Sequence, residues 1–473
     1  MKKTVDVVII GAGSAGLAAL RQVKKTTDRF VLINCGSLGT TCARVGCMPS
    51  KAFIHVANEF HQSRSLAAMG ITGGERLACA IPEVMAHVRR LRDYFAGGMM
   101  EATRRLAGDN LVEGRAVILG VDRVGVGPVE YRTSKIIIAA GSRPLIPHAW
   151  REFSDAILTS ENIFEQKDLP QRIAVIGLGT IGLELGQALN RLGIEVQGFT
   201  RSERIGGLTA PAVNQAAIQL IGAEFPLHTQ EEIEIEKCRQ GLRVRYGNES
   251  LVVDKILAAV GAEPNLAQLG LENLGVSLGE NGLPPFDPNS MQVADLPVFI
   301  AGDVSGDLPL LHEALDEGFI AGVNSGLDVP QGFCRRTPLK IVFSDPQIAI
   351  VGKSYERLQG EDFHVGEENF QGQSRARIEG VNRGVLQVFA AAESGRLLGA
   401  EMAVPNGEHL AHILALAIQQ RLTVPEMLAM PFYHPAVEEG LRSALRAVME
   451  KLSRVKISAE LSLCGSCPEK PLA

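Results

Sequence analysis

At 473 residues the chain is longer than one hydrophobic core supports, and roughly 150 residues per domain predicts about three domains. Hydrophobic residues make up 46% and charged residues 21%, an ordinary globular balance, and the net charge of −6 argues against a basic nucleic-acid surface or attraction to anionic membranes. Fifty glycines exceed the average share of about 7%, as expected where backbone approaches phosphates or turns tightly. Cysteines 35, 42, 47, 79, 238, 334, 464 and 467 follow no framework spacing, so only closely spaced pairs call for a reason.

The chain opens with Lys2 and Lys3 and an apolar stretch from Val5 to Leu20. Asp6, three glycines at fixed spacing and no clean cleavage site make this a strand and turn rather than a signal peptide, which predicts a cytoplasmic protein. Val5–Ile10 reads as a strand, Gly11-Ala12-Gly13-Ser14-Ala15-Gly16 as a G-x-G-x-x-G turn and Leu17–Lys25 as a helix. Gly11 permits the tight turn, Gly13 lets backbone approach a pyrophosphate, and Gly16 allows close helix–strand packing. Phe30–Ile33 follows as the second strand, and Asn34 stands where an acid usually binds the ribose. Asn still offers a hydrogen bond, though a weaker acceptor than a carboxylate.

Gly39 to Lys51 reads Gly-Thr-Thr-Cys-Ala-Arg-Val-Gly-Cys-Met-Pro-Ser-Lys. In an unbroken helix Cys42 and Cys47 lie about one and a half turns apart, too far round for an ideal disulfide. A distortion at Gly46 brings the sulfurs together, and a helix N-terminus stabilises a thiolate. By itself the pattern fits either an exchange-active dithiol or two buried cysteines in an ordinary helix.

Strand, glycine turn and cysteine box together resemble the class I pyridine nucleotide–disulfide oxidoreductases, which include dihydrolipoamide dehydrogenase, glutathione reductase and mercuric reductase. Residues 39–51 resemble that family's G-G-T-C-x-x-x-G-C-x-P-S-K box, with Thr40 in place of the second glycine. The resemblance implies two Rossmann-like dinucleotide-binding domains and an α+β dimerisation domain. It places FAD in the first unit, against Gly11, Gly13, Ser14, Ala15, Gly16, Asn34, Thr41, Lys51, Ala140, Gly141, Gly302 and Asp303. The stretch Ala140-Gly141-Ser142-Arg143-Pro144 resembles the family's crossover out of the first domain, and Gly302-Asp303 its flavin-side turn.

Helices are expected over Ala52–Phe60 and Pro82–Leu106, and an antiparallel ribbon over Val112–Leu119 and Val121–Tyr131. Arg172–Ile176 is again a strand, and Gly177-Leu178-Gly179-Thr180-Ile181-Gly182 repeats the fingerprint. Such a duplication implies two nucleotides exchanging electrons, a flavin and a nicotinamide. The following strand, Glu195–Phe199, ends in Thr200-Arg201-Ser202-Glu203-Arg204 with no acid at its tip. Guanidinium groups suit a 2′-phosphate, so NADPH is favoured over NADH, with Gly177, Gly179, Gly182, Arg201 and Gly261 holding it. Surface arginines without that role are the plainer alternative.

By the resemblance, Glu184 pairs with Lys51 beside the flavin. Phe432-Tyr433-His434-Pro435-Ala436-Val437-Glu438-Glu439 resembles the family's H-x-H-P-T-x-x-E, with Phe432 and Ala436 as departures. Dithiol chemistry needs a base near neutral pH, and imidazole supplies one. The resemblance makes His434, oriented by Glu439, that base, acting on Cys42 of the other subunit of a homodimer. It also makes Cys47 the sulfur nearer the flavin. The expected domains are 1–149 and 267–335 for FAD, 150–266 for NAD(P) and 336–473 for dimerisation.

The tail carries Cys464-Gly465-Ser466-Cys467. It reads as a second dithiol relaying electrons, as half of a zinc site that no other close cysteine–histidine pair completes, or as incidental cysteines. Three functions follow: a dihydrolipoamide dehydrogenase-like enzyme, an NADPH-dependent reductase of another disulfide or a metal ion, or a non-turnover flavoprotein acting as redox sensor or partner subunit. The substrate is a small-molecule or protein disulfide, and no resident metal is expected.

Overall fold

The computed structural model describes residues 1–452; Cys464 and Cys467 lie outside them. Two five-stranded parallel sheets repeat one plan. In the first, the strands run Val298–Ile300, Lys135–Ile138, Val7–Ile10, Phe30–Asn34, Leu111–Glu113 across the sheet. In the second, the order is Ile157–Leu158, Lys255–Ala258, Arg172–Ile176, Glu195–Thr200, Leu227–Thr229. In each, the strand entering the glycine turn is central, and its helix (Ser14–Val23 or Thr180–Arg191) packs back on the sheet. Val7–Ile10 is buried at every position, as required of a parallel strand covered on both faces.

The glycine turns match atom for atom. A methyl on Gly16 would stand 1.9 Å from the Gly11 carbonyl oxygen, and one on Gly182 would stand 1.8 Å from that of Gly177. Either clash would force helix and strand apart. Gly11 and Gly177 have φ of +111° and +98°, a region that side chains disfavour.

Each parallel sheet carries an antiparallel appendage, Ala116–Arg132 in the first unit and Ile233–Val253 in the second. The ribbon expected from Val112 begins later: Leu111–Glu113 extends the parallel sheet beside Phe30–Asn34, and Gly114 ends it. Period alone does not distinguish a buried edge strand from a ribbon strand. The helices expected at 52 and 82 span Cys47–Gln62 and Ile81–Ala107.

The C-terminal region builds an antiparallel sheet in the order Leu339–Val342, Gln347–Gly352, Leu397–Val404, Val385–Ala391, Phe363–Asn369. Helices Gly407–Gln419 and Glu438–Met449 bury one face of it, with Ala400, Met402 and Val404 in that core. Ile348 and Ala403, on the other face, join the core of the second nucleotide unit. Among the described residues no helix is long and apolar enough to cross a membrane.

Candidate active site

The cysteine box is not one helix. Thr41–Arg44 forms a short turn of helix, Val45 and Gly46 break it, and a new helix starts at Cys47. Gly46 adopts φ −115° and ψ −117°, and a methyl there would come 3.2 Å from Cys42 Cα. The break folds Cys42 back onto Cys47, so that the two thiols hydrogen-bond each other. Thr40, where the family pattern has glycine, has φ +56° and accepts a hydrogen bond from Ala43 N. A β-branched residue in that region is strained by on the order of 1–3 kcal/mol.

Cys47 opens the helix Cys47–Gln62, whose first N–H groups have no side-chain cap. The hydrogen bond from Cys42 and the Lys51 ammonium one turn on lower its thiol from 9.0 to about 7. Cys42 moves the opposite way: its hydrogen bond to Cys47 and its burial push its thiol far up. The pair therefore carries one thiolate near neutrality, on Cys47. Because the shift is downward, that thiolate is present above about pH 7 and lost below it. Iodoacetamide labelling of Cys47 in the reduced protein is expected to rise through about pH 7, read by mass spectrometry of the labelled peptide. A rise centred on the ordinary thiol range would contradict this arrangement.

Behind Cys47, Lys51 Nζ lies 2.8 Å from Glu184 Oε2 and 4.7 Å from the centre of the Phe343 ring. Glu184 is only 4% exposed, and its second oxygen accepts from Phe343 N at 3.0 Å. One contact thus joins the cysteine helix, the second nucleotide unit and the C-terminal region. The sequence does not disclose Phe343, because its part rests on a backbone N–H and a ring face.

A cavity of about 860 Å³ opens beside Cys42, between the first glycine-turn helix and the long helix Ile81–Ala107. Its lining includes Leu17, Arg21, Tyr94, Met99 and Leu315 as well as Cys42, but not Cys47. The two cysteines therefore differ in surroundings: half-buried Cys42 meets the cavity, while Cys47, exposed on the single chain, lies outside its lining with Lys51 one turn on. Tyr94, 76% exposed at its rim, and Arg21 carry no motif and escape a reading by sequence.

His434 is not part of this cavity's lining. It sits on the C-terminal domain with Nδ1 3.0 Å from both oxygens of Glu439, while Ala436 N donates to Glu439 at 3.2 Å. Partial burial raises the Glu439 carboxyl, but the His434 and Ala436 hydrogen bonds outweigh it and hold it below its usual range. The His434 side chain is 72% exposed on the single chain.

The glycine turns fit dinucleotides. Methyls built on Gly13 and Gly179 meet nothing within 4 Å, so the backbone there faces open space, and neither following helix has a side-chain cap. Those N–H groups remain for an anion. Ser14 and Ala15 lie in the first helical turn, and Asn34 Oδ1 accepts from Ala12 N at 3.4 Å. Thr41 begins the turn that carries Cys42. Ala140 and Gly141 are tied to Asn265, which donates to Ala140 O at 3.0 Å. Gly302 N donates to buried Glu317 at 2.7 Å, a contact no motif announces. Burial raises the Asp303 carboxyl, against the opposing effect of a hydrogen bond from Ser142. Gly261, just past the strand Lys255–Ala258 of the second unit, has φ +121°. Arg201 is exposed at the end of its strand, whereas Arg204 is engaged by Glu356 at 2.8 Å and Glu203 at 3.6 Å.

A duplicated dinucleotide fold carrying a paired dithiol defines a flavoprotein disulfide oxidoreductase. Residues 5–318 match the family model for pyridine nucleotide-disulphide oxidoreductases, and residues 339–445 match that family's dimerisation domain. The chain belongs to the pyridine nucleotide-disulphide oxidoreductase family. FAD and a pyridine nucleotide are the cofactors that membership supports, and the matched dimerisation domain supports a homodimer. The chain is 30% identical to a dihydrolipoyl dehydrogenase of Thermus scotoductus, over 94% of this chain and 98% of that one. It is 29% identical to a mercuric reductase of Shigella flexneri, over 96% and 82%. The fold is shared with the Cu(II) complex of the flavoprotein disulfide reductase RclA of Escherichia coli, at a TM-score of 0.81 and 22% identity, covering 94% of this chain and 100% of that one.

Proposed function

We propose that the protein moves electrons between NAD(P)H and an external disulfide through Cys42 and Cys47, in the manner of a dihydrolipoamide dehydrogenase. The observation that carries this reading is the asymmetry of the dithiol: Cys42 lines the cavity, while Cys47 holds the thiolate in front of Lys51 and Glu184. When bound, FAD supplies the two-electron transfer between the pyridine nucleotide and this pair.

The chain's own residues perform the exchange. His434 of the partner subunit, oriented by its Glu439, takes the Cys42 proton, which its own high pKa otherwise retains. The Cys42 thiolate attacks one sulfur of the substrate disulfide, forming a mixed disulfide and expelling the first thiolate, which takes the proton held by His434. The Cys47 thiolate then attacks Cys42, expels the second thiolate and closes the Cys42–Cys47 disulfide. Oxidation of a dithiol such as dihydrolipoamide is the same sequence reversed. In this reading residues 1–149 and 267–335 hold FAD, 150–266 the pyridine nucleotide, and 336–473 the dimer contact.

Arg201, exposed and without an ion-pair partner among the described residues, favours NADPH and with it a second reading: a reductase of another disulfide or of a metal ion, aided by Cys464 and Cys467. Likeness to a mercuric reductase supports the same alternative. Steady-state rates on lipoamide and on dihydrolipoamide, with each nucleotide in turn, rank the two. Arg201→Ala is expected to raise KM for NADPH about tenfold to a hundredfold, the loss of one charged hydrogen-bonding contact, and to leave KM for NADH unchanged. Equal effects on both nucleotides would remove the argument for NADPH.

A further inference from the structure

Glu401 is a fully buried carboxylate, 0% exposed, on the strand Leu397–Val404 of the C-terminal sheet. Every partner it has comes from outside that strand. Its Oε2 accepts from Thr209 N at 2.7 Å and Ala210 N at 2.8 Å; its Oε1 accepts from Tyr355 N at 2.9 Å and from the Thr209 hydroxyl. Burying a charge this completely is costly unless its lone pairs are satisfied, and here four donors converge on it. Two of them stand at the start of the helix Pro211–Gly222, whose own N-cap, Ala210, has no side chain able to cap it. Glu401 therefore caps a helix of the second nucleotide unit from another domain.

What that cap anchors is the segment from Arg201 to Ala210, which leaves the carboxyl end of the strand Glu195–Thr200 beside the second glycine turn. Gly206 N donates to Leu178 O, inside that turn, at 2.8 Å. On its other side the segment rests on the C-terminal sheet: a methyl on Gly206 would meet Ile348 at 2.9 Å, and one on Gly207 would meet Lys340 Nζ at 2.7 Å. Lys340, Ile350 and Glu401 form one cross-strand row of that sheet. Glu356 closes the contact, pairing with Arg204 and donating its N–H to the Thr209 hydroxyl at 3.1 Å. The segment is thus clamped between the glycine turn and the domain matched to dimerisation.

We infer that Glu401 is the positioning residue through which the C-terminal domain sets the Arg201–Ala210 segment for pyridine-nucleotide binding. The inference rests on the second unit being the pyridine-nucleotide site. In Glu401→Gln the amide turns an N–H toward a cluster of donors, so the helix start and the segment holding Arg201 lose their anchor. Nothing in the Cys42 cavity touches Glu401, so exchange with the disulfide is left alone.

The test is steady-state and rapid-reaction kinetics of the flavin-loaded dimer, with NADPH and NADH, on wild type, Glu401→Gln and Thr209→Val. KM for the favoured nucleotide is expected to rise about tenfold in Glu401→Gln, a change of about 1.4 kcal/mol, with kcat at saturating nucleotide within about twofold of wild type. Thr209→Val, which removes one of the four donors, is expected to show a smaller rise of the same kind and carries the test if the glutamine variant does not fold. A wild-type KM in both variants, or a fall in kcat at unchanged KM, overturns the inference. If wild-type protein shows no saturable dependence on either nucleotide, the reading of the second unit fails first, and that failure is visible before any variant is measured.

Discussion

Cys42→Ser protein is expected to lose turnover with every disulfide acceptor by at least about 1,000-fold, while NADPH or NADH still bleaches its yellow cofactor. A hydroxyl cannot form the mixed disulfide, and Cys42 is the sulfur that lines the cavity. Cys47→Ser is expected to fail differently. Its Cys42 can still be taken into a mixed disulfide with the acceptor, but nothing attacks that bond to release it. Intact-mass spectrometry after exposure to the acceptor therefore distinguishes the two: an added half-acceptor on Cys47→Ser at Cys42, and none at Cys47 in Cys42→Ser. An adduct on Cys47 instead would reverse the assignment of the two sulfurs.

His434→Gln is the second large effect. Losing a positioned general base typically slows proton transfer by about 100- to 10,000-fold, and turnover on disulfide is expected to fall within that range, with bleaching by nucleotide retained. Glu439→Gln keeps the imidazole but removes the carboxylate that receives its Nδ1 at 3.0 Å, so a smaller loss is expected, together with a changed pH–rate profile. His434 does not line the Cys42 cavity of its own chain, and in the proposed mechanism the partner supplies the base. Mixing inactive Cys42→Ser and His434→Gln subunits should accordingly restore one working site per mixed dimer, measured as activity regained after subunit exchange. No regain would place both groups in one chain's site.

The sequence discloses the fold because its signals are local. Each G-x-G-x-x-G follows an apolar strand and precedes a helix, and the same steric requirement at Gly16 and Gly182 leaves the same mark twice. The cysteine box is partly legible: Gly46 stands out as the place where a helix must yield, and the helix breaks there. The contacts that complete the site are not local. Lys51 and Glu184 are separated by 133 positions, and no spacing joins them; only the family resemblance does. Phe343 contributes through its backbone N–H and ring, and Glu401 through burial beneath a loop from another domain. Neither leaves a pattern in its neighbours. Arg204 shows the converse, since its charge suggests a phosphate ligand while Glu356 and Glu203 already engage it.

The proposed activity requires a working Cys42–Cys47 pair between a pyridine nucleotide and an external disulfide. Anaerobic titration of the flavin-loaded protein with NADPH tests it most directly. With Cys47 as the sulfur that would face bound FAD, a long-wavelength absorption band is expected, complete at two electrons per subunit and absent in Cys47→Ser. Direct bleaching of the wild-type cofactor at two electrons, with no such band, would contradict it.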